Sequence, residues 1–231
     1  MDCRIAGRGN GGSGITMKTI EDICENVHRL LRQLPRHKFP FNEEKIPLNG
    51  IYVFFEKGES GHRGNRIVRI GTHTGQNQLC LRLRQHFIQE KKDRSIFRKN
   101  IGRCLLNHSQ DPFLADWNLD LTTRKNRLKF KSKIDHKKQA RIEKKVSEHL
   151  RQNMKFSVFE VLDKETRLLM EARLISIVSR CEKCTSSTHW LGSKSPVTKI
   201  KESGLWQVMH LYKDICLNKE HKQLIALIRG Q

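Results

Sequence analysis

The sequence has little acidic charge, few aromatic residues and no long apolar run. Its 231 residues carry 24 Asp and Glu against 45 Lys and Arg, a formal net charge of +21, and only 6% are aromatic. A mean hydropathy of −0.64 and the lack of any stretch of about 18 apolar residues exclude a transmembrane helix. The first 14 residues are polar and glycine-rich and lack the apolar core of a signal peptide. We therefore expect a cytoplasmic protein without a membrane partner.

Seven cysteines are an odd number for a disulfide framework, so we expect most of them to be reduced thiols. Cys181 and Cys184 form a CxxC pair, and His189 follows five residues later. One such pair supplies only two of the four ligands of a structural zinc site. The expectation is therefore a loop with ordinary thiols, with zinc as the alternative if further ligands join.

The positive charge is concentrated in two segments. Residues 82–103 contain eight basic and two acidic residues, a net charge of +6, and residues 124–151 contain twelve and three, a net charge of +9. Such clustering is typical of a surface that follows the phosphates of a nucleic acid. The alternative is a solvated helix face or a basic tail, because charge runs alone are weakly specific.

Periodicity predicts an α+β fold in which a small, mainly antiparallel sheet of three strands is flanked by helices. Residues 1–16 are expected to form a disordered arm, and Met17 is a possible true start. The expected helices are residues 18–34, a segment from about 77 to 87, a helix capped by Ser95, and residues 134–154, 165–179 and 218–228. The expected strands are residues 50–55 and 66–71, joined by a loop, and residues 155–162, while residues 107–133 are expected to be irregular.

Four polar side chains occupy positions that packing alone does not explain. Glu171 lies on the apolar face of its predicted helix or at the edge of that face, where a carboxylate needs a cation, a donor or a metal beside it. Arg82 and His86 are four residues apart and share a helix face, which suits phosphate contact and proton transfer. Tyr52 is either a core aromatic residue or a phenol that hydrogen-bonds a water. An ordinary surface arginine, a packed histidine and an ion-paired glutamate remain the alternatives.

These residues lie within an ordered set of motifs that resembles the GIY-YIG nuclease superfamily. Gly50-Ile51-Tyr52 stands on the first strand, Arg69-Ile70-Gly71-Thr72-His73 ends the second, and Arg82-Leu83-Arg84-Gln85-His86 lies on the following helix. The phrases Ser95-Ile96-Phe97-Arg98, Trp190-Leu191-Gly192 and Ser203-Gly204-Leu205-Trp206 are similar to those of a largely uncharacterised prokaryotic branch. The resemblance covers residues 49 to about 207.

The resemblance implies a divalent-metal-dependent endonuclease that cuts DNA phosphodiester bonds by a single-metal mechanism. Glu171 would hold one Mg²⁺ or Mn²⁺, and Arg82 would contact the phosphate oxygens. Tyr52 would orient or deprotonate the attacking water, assisted by His86. Arg69 replaces the tyrosine of the second motif, so either Arg69 acts electrostatically or Arg66, His73 or Tyr52 covers that tyrosine's role.

The implied nuclease domain spans residues 49–207. It is preceded by a helix and connector (residues 17–48), contains a basic helical insertion (residues 108–154) and is followed by a helical tail (residues 208–231). The expected contacts to duplex or branched DNA are Arg84, Arg98, Lys99, Lys137, Lys138, Arg141, Lys144 and Lys145. The alternative function is a catalytically inactive, nuclease-like module that binds DNA or RNA, and a protein associated with ribosomal RNA is a third option.

Overall fold

The computed structural model describes residues 19–214 and 217–230, and among these the side chains of 19–214 and 222–230. The predicted disordered arm over residues 1–16 lies outside these ranges. Within them the helices are α1 (Ile20–Gln33), α2 (Leu79–Phe87), α3 (Ile96–His108), α4 (Leu114–Asn118), α5 (Arg124–Lys129), α6 (His136–Asn153), α7 (Lys164–Arg180), α8 (Thr198–Ser203) and α9 (Leu217–Arg229). The strands are β1 (His37–Lys38), β2 (Gly50–Gly61), β3 (Gly64–Gly71) and β4 (Met154–Glu160). No helix in the described part of the chain is both long and apolar enough to cross a membrane.

The strands form one antiparallel sheet in the order β1-β4-β2-β3. The α+β class is confirmed, but the sheet has four strands because the two-residue β1, within the predicted connector region, pairs with β4. The predicted loop between β2 and β3 is also wrong in length. Both strands continue to a tight turn at His62 and Arg63, whose φ values of 49° and 60° are those of the left-handed region. Such a turn matches the twist of the two strands that it joins.

Each face of the sheet has its own apolar core. Helices α2, α3 and α6 cover the face that carries Tyr52 and Phe54, while α1, α7 and α9 cover the face that carries Ile51 and Val53. This separation follows from the alternation of side chains along β2. Tyr52 therefore lies in the same layer as α2, and α7 lies behind the sheet.

Polar caps set the starts of the main helices. Thr19 and Asp22 form a reciprocal capping box at α1, and Asp163 accepts a hydrogen bond from the Thr166 amide at the start of α7. The predicted cap of α3 is confirmed, since the Ser95 hydroxyl accepts a hydrogen bond from the Arg98 amide.

The basic insertion is more ordered than predicted. Residues 107–133 include α4 and α5, and Trp117 of α4 is fully buried against α3, where its indole N–H donates to the Lys99 carbonyl. Helix α6 buries a stripe that includes Ile142, Val146 and Leu150 and exposes most of its cationic circumference. The insertion therefore packs on the core instead of extending from it.

Candidate active site

A buried tyrosine–histidine pair lies at the centre of the candidate site. The Tyr52 hydroxyl is 2.9 Å from Nε2 of His86, and Nδ1 of His86 is 2.8 Å from the Ser95 hydroxyl. Tyr52 is 1% exposed and His86 is fully buried. Burial lowers the pKa of His86 well below its ordinary value of 6.5, and the charges of Arg82, Arg69 and Arg98 lower it further. The imidazole is therefore neutral at neutral pH, with one ring nitrogen free to accept a proton.

The glycine that ends β3 gives the tyrosine its space. Gly71 pairs with Tyr52 across the sheet, and a Cβ atom added there would lie 2.2 Å from the Tyr52 hydroxyl oxygen. Only glycine admits the phenol at this position. The position of Tyr52 in the Gly50-Ile51-Tyr52 motif thus depends on Gly71 of the second motif.

Arg69, the first residue of the Arg69-Ile70-Gly71 motif, is fixed beside the same phenol. One of its Nη atoms donates to the Trp206 carbonyl and, at 2.7 Å, to the Gln207 side chain, and the guanidinium lies 4.8 Å from the centre of the Phe97 ring. Burial lowers the pKa of Arg69, and this shift is opposed by Tyr52 and by Glu171. A positive charge is therefore held between the phenol and the carboxylate.

Two of the three alternatives to Arg69, namely Arg66 and His73, are engaged elsewhere. Arg66 is fully buried and donates to Glu59, at 2.5 and 3.1 Å, and to the Gly204 carbonyl. His73 contacts the Gly75 carbonyl through Nδ1 and the Gly50 amide through Nε2. The contacts therefore favour Arg69 for an electrostatic role and give Arg66 and His73 structural ones.

Glu171 reaches the site from the helix behind the sheet. Its Oε1 accepts a 3.2 Å hydrogen bond from the amide of Thr72, the residue that follows β3. The buried positions of α7 are centred on Met170, Leu174 and Ile177, so Glu171 lies at the edge of the apolar face. Burial raises its pKa, whereas Arg69, the Thr72 amide and Arg82 oppose the shift. This carboxylate is partly desolvated and lies near two arginines. Because positive charge stabilises its ionised form, the position suits a cationic ligand.

Arg82 lines an open cleft next to these groups. The cleft has a volume of about 360 Å³, and Thr72, Thr74, Gln78 and Gln85 also line it. Nη1 of Arg82 donates to the Gln85 side chain and to the Arg94 carbonyl, at 2.8 and 2.9 Å, while the residue remains half-exposed. A guanidinium held in this way can bind a phosphate oxygen that enters from solvent.

A family model described as "GIY-YIG domain" matches residues 17–225, which is most of the chain. The chain belongs to the GIY-YIG family. No curated protein and no solved structure matches it. The matched region begins before the predicted nuclease domain of residues 49–207 and includes α1, and those narrower domain bounds remain a prediction.

Electrostatic interactions link the five site residues that were carried over from the GIY-YIG motifs. Tyr52 and Glu171 act on Arg69, and Arg69 and Arg82 act on both His86 and Glu171. Sequence reasoning missed the Thr72 amide, the contact of Ser95 with His86, and Gln207. The spacing of residues in the sequence carries no signal for the Thr72 amide or Gln207, because both contacts join elements that are distant in the chain.

The tryptophan phrases of the family also have a structural role. The indole N–H groups of Trp190 and Trp206 donate to one oxygen of the buried Glu56, at 2.7 and 2.9 Å, and His149 contacts the other at 3.0 Å. The segment that supplies the carbonyl for Arg69 is therefore locked against β2. These segments thus hold the Trp206 carbonyl in place for its contact with Arg69.

One predicted DNA contact is wrong. Arg98 is fully buried and donates to Glu143, to the Ser147 hydroxyl and to the His86 carbonyl, so it cannot reach a phosphate. Lys99 is half-buried against the Leu119 carbonyl. Outward-facing positions are held by Arg84, Lys137, Arg141, Lys144 and Lys145, and Lys138 is partly exposed and bound to Asp111 at 2.7 Å.

Cys181 and Cys184, expected to be ordinary loop thiols, lie in a cluster with other thiol and imidazole groups. Both are buried, and they meet Cys24 of α1 and His62 of the β2–β3 turn, while His189 is exposed. The five described cysteines are free thiols, and Cys3 and Cys216 lie outside the described residues.

Proposed function

We propose that this GIY-YIG protein is a divalent-metal-dependent endonuclease that hydrolyses DNA phosphodiester bonds. The observation that best supports the proposal is the convergence of a phenol on a neutral histidine, with a carboxylate and two guanidinium groups beside them. This set can activate a water, hold a cation and neutralise a phosphate. Together these three tasks suit the hydrolysis of a phosphodiester bond.

Tyr52 and His86 form the proposed proton path. If Nδ1 of His86 carries the ring hydrogen towards Ser95, then Nε2 accepts the hydrogen of the Tyr52 hydroxyl. The lone pairs of the phenol oxygen can then accept a hydrogen from the attacking water. As the water attacks phosphorus, its proton passes to the phenol oxygen and the phenol proton passes to Nε2.

Glu171 is the proposed ligand of the divalent cation. Its environment fits a hard cation, because the carboxylate is an oxygen donor whose ionised form is disfavoured by burial and needs compensating positive charge. When bound, Mg²⁺ or Mn²⁺ would polarise the scissile phosphate and stabilise the leaving oxygen. Arg82 would bind the non-bridging oxygens, and the buried charge of Arg69 would stabilise the phosphate electrostatically.

Helix α6 is the proposed DNA-contacting element. Arg141 follows Lys137 by four residues and precedes Lys144 and Lys145 by three and four, so these side chains form one cationic stripe opposite the buried side of the helix. From 137 to 145 the stripe is about 12 Å long, enough to meet several phosphates of a duplex. Arg84 on α2 extends the positive surface near the cleft, although Glu43 lies 3.7 Å from it.

The decisive experiment is nicking of supercoiled plasmid by the purified full chain with Mg²⁺ or Mn²⁺. We expect Glu171→Gln to abolish nicking and Tyr52→Phe to reduce it strongly. The matched control is Glu165→Gln, which removes an exposed carboxylate from the first turn of the same helix and should leave nicking unchanged. Absence of nicking by wild type, or full nicking by Glu171→Gln, would overturn the proposal.

DNA binding is tested separately by its salt dependence. Replacing Lys137, Arg141, Lys144 and Lys145 by alanine should reduce the slope of log K against log salt by up to about 3.6, since each phosphate contact to duplex DNA contributes about 0.9. The control replaces Lys194, Lys199 and Lys201, which are exposed near α8. An unchanged slope in the α6 variant would contradict its role. Salt-sensitive binding with no cleavage under any divalent metal would favour the inactive binding module.

A further inference from the structure

Three cysteines and two histidines meet behind the sheet, away from the candidate active site. This thiol–imidazole cluster consists of Cys24, His28, His62, Cys181 and Cys184. Four of its members, Cys24, His28, His62 and Cys184, have ligand atoms that all lie within 4.8 Å of one another. The Cys181 thiol lies 3.3 Å from Nε2 of His62, one of these four residues. Residues far apart in the sequence thus bring five soft or borderline donors to one point.

The spacing of the donors matches a tetrahedral metal site. With Zn–S bonds of about 2.3 Å and Zn–N bonds of about 2.0 Å, neighbouring sulfurs lie about 3.8 Å apart and a sulfur and a nitrogen about 3.5 Å apart. The Cys24 and Cys184 sulfurs are 3.5 Å apart, and the Cys181 sulfur is 3.3 Å from His62. Small movements would therefore bring all four donors onto one ion.

The two histidines differ in what their ring nitrogens already bind. Nδ1 of His28 is 2.9 Å from the Cys24 carbonyl, and its Nε2 accepts a 3.2 Å hydrogen bond from the Ile67 amide. Both nitrogens of His28 are therefore used by the backbone, although Nδ1 also lies 3.5 Å from the Cys24 sulfur and Nε2 3.8 Å from the Cys184 sulfur. Nε2 of His62 instead contacts the Cys181 sulfur, so this nitrogen is placed as a ligand.

The charges around the cluster also suit a zinc centre. Three thiolates and Zn²⁺ leave one net negative charge, and the cationic side chains of Arg32 and Arg66 interact electrostatically with Cys184. Arg32 in addition donates to the carbonyls of Gly61 and His62 and so fixes the turn that carries the imidazole. Sulfur donors select Zn²⁺ over Mg²⁺, which prefers oxygen.

We propose that the chain binds a structural Zn²⁺ through the thiolates of Cys24, Cys181 and Cys184 and Nε2 of His62, with His28 packed beside them as a positioning residue. The ion would join α1, the β2–β3 turn and the end of α7. Four protein ligands leave no open coordination position, so the zinc has no catalytic role. Cys181 follows Glu171 by ten residues, about 15 Å along a helix, so the zinc would anchor α7 at a distance from the active site.

The test is the metal content and the cobalt spectrum of the reduced full chain. Protein produced with added zinc and purified without chelator should contain about one zinc per chain by elemental analysis. Replacing the zinc by Co²⁺ should give intense visible bands of a tetrahedral site and a thiolate-to-cobalt charge-transfer band. Removing the zinc with a chelator should lower the Tm, and returning zinc should restore it.

Variants define the ligand set. Cys181→Ser and His62→Ala should each lose zinc or change the cobalt spectrum, whereas Cys80→Ser, a half-buried thiol outside the cluster, should change neither. Glu171→Gln should also keep its zinc, which separates this site from the proposed catalytic cation. Because the cobalt titration of wild type needs no variant, the test stands even if a cysteine variant fails to fold.

Three results would overturn the proposal. The first is a reduced wild-type protein that holds no zinc and binds neither Zn²⁺ nor Co²⁺. The second is a full equivalent of zinc in Cys181→Ser with an unchanged cobalt spectrum in Cys184→Ser. The third is a disulfide between Cys24 and Cys184 in protein purified under reducing conditions, found by mass spectrometry. Loss of zinc in His28→Ala but not in His62→Ala would refute the assignment of His62.

Discussion

Replacing Gly71 by alanine should disable the proposed nuclease by displacing one hydroxyl group. An added Cβ would lie 2.2 Å from the Tyr52 hydroxyl oxygen and 2.3 Å from Cζ, whereas real Cβ contacts essentially never fall below 3.0 Å. The ring has no open space to move into, because only 1% of Tyr52 is exposed. Either the ring or the end of β3 must therefore move.

The size of that movement sets the expected loss. The hydroxyl and the new methyl must separate by about 0.8 Å or more, which can take the 2.9 Å bond to His86 beyond 3.5 Å. A misplacement of about 1 Å in a catalytic group lowers the rate about 100-fold. A buried hydroxyl without its partner also costs about 1–3 kcal/mol of stability. We expect both effects in the same variant.

The assay is the rate of plasmid nicking with Mg²⁺, measured for Gly71→Ala, Tyr52→Phe and the double variant. Gly71→Ala should lower the rate about 100-fold in the wild-type background. It should have much less effect in the Tyr52→Phe background, where the hydroxyl is already absent. Gly61→Ala, on the same hairpin, is the control, because its Cβ would meet only the Arg66 side chain, at 3.3 Å. Wild-type nicking and Tm in Gly71→Ala would refute the reasoning.

Two further predictions concern stability. Burial raises the folded-state pKa of Glu171 above its ordinary value of 4.5. At pH values above the unfolded-state pKa, ionisation of this carboxyl therefore destabilises the fold, by about 1.4 kcal/mol for each pKa unit between the two states. Glu171→Gln should therefore raise the Tm at neutral pH and give little gain below about pH 4.5; a loss of Tm at neutral pH would contradict this. Glu143→Gln leaves the buried Arg98 charge uncompensated and should lower the free energy of unfolding in urea by about 3–5 kcal/mol, whereas Arg98→Met combined with Glu143→Leu should cost less.

Local patterns predicted the elements whose sequences are strongly periodic. The helices α1, α2 and α6 and the hairpin of β2 and β3 follow directly from the spacing of apolar residues. The polar, glycine-containing segment around the hairpin turn was expected to be a loop, because its composition resembles one. Cross-strand pairing decides otherwise, since Ser60 pairs with Asn65, and the buried Glu59 binds Arg66.

Partners that are distant in the chain could not be predicted. Arg98 was expected to bind DNA because it lies in a basic run, yet it is separated by 45 residues from the Glu143 that neutralises it in the interior. Cys24 and Cys184 are 160 positions apart, so the spacing around one CxxC pair could not indicate a fuller set of ligands. Sequence spacing shows which residues share an element, whereas the packing of elements decides which charges are buried and which donors meet.

The arginines have two opposite effects on the proposed reaction. In the free protein, burial and the charges of Arg82, Arg69 and Arg98 keep His86 neutral, which leaves Nε2 able to accept a proton but makes its protonated form costly. A bound phosphate would neutralise Arg82 and Arg69, while burial and the charge of Arg98, already paired with Glu143, would still act on the imidazole. The basicity of His86 would therefore rise when DNA occupies the cleft. The same charges that attract the substrate would thus keep the base weak until the substrate has arrived.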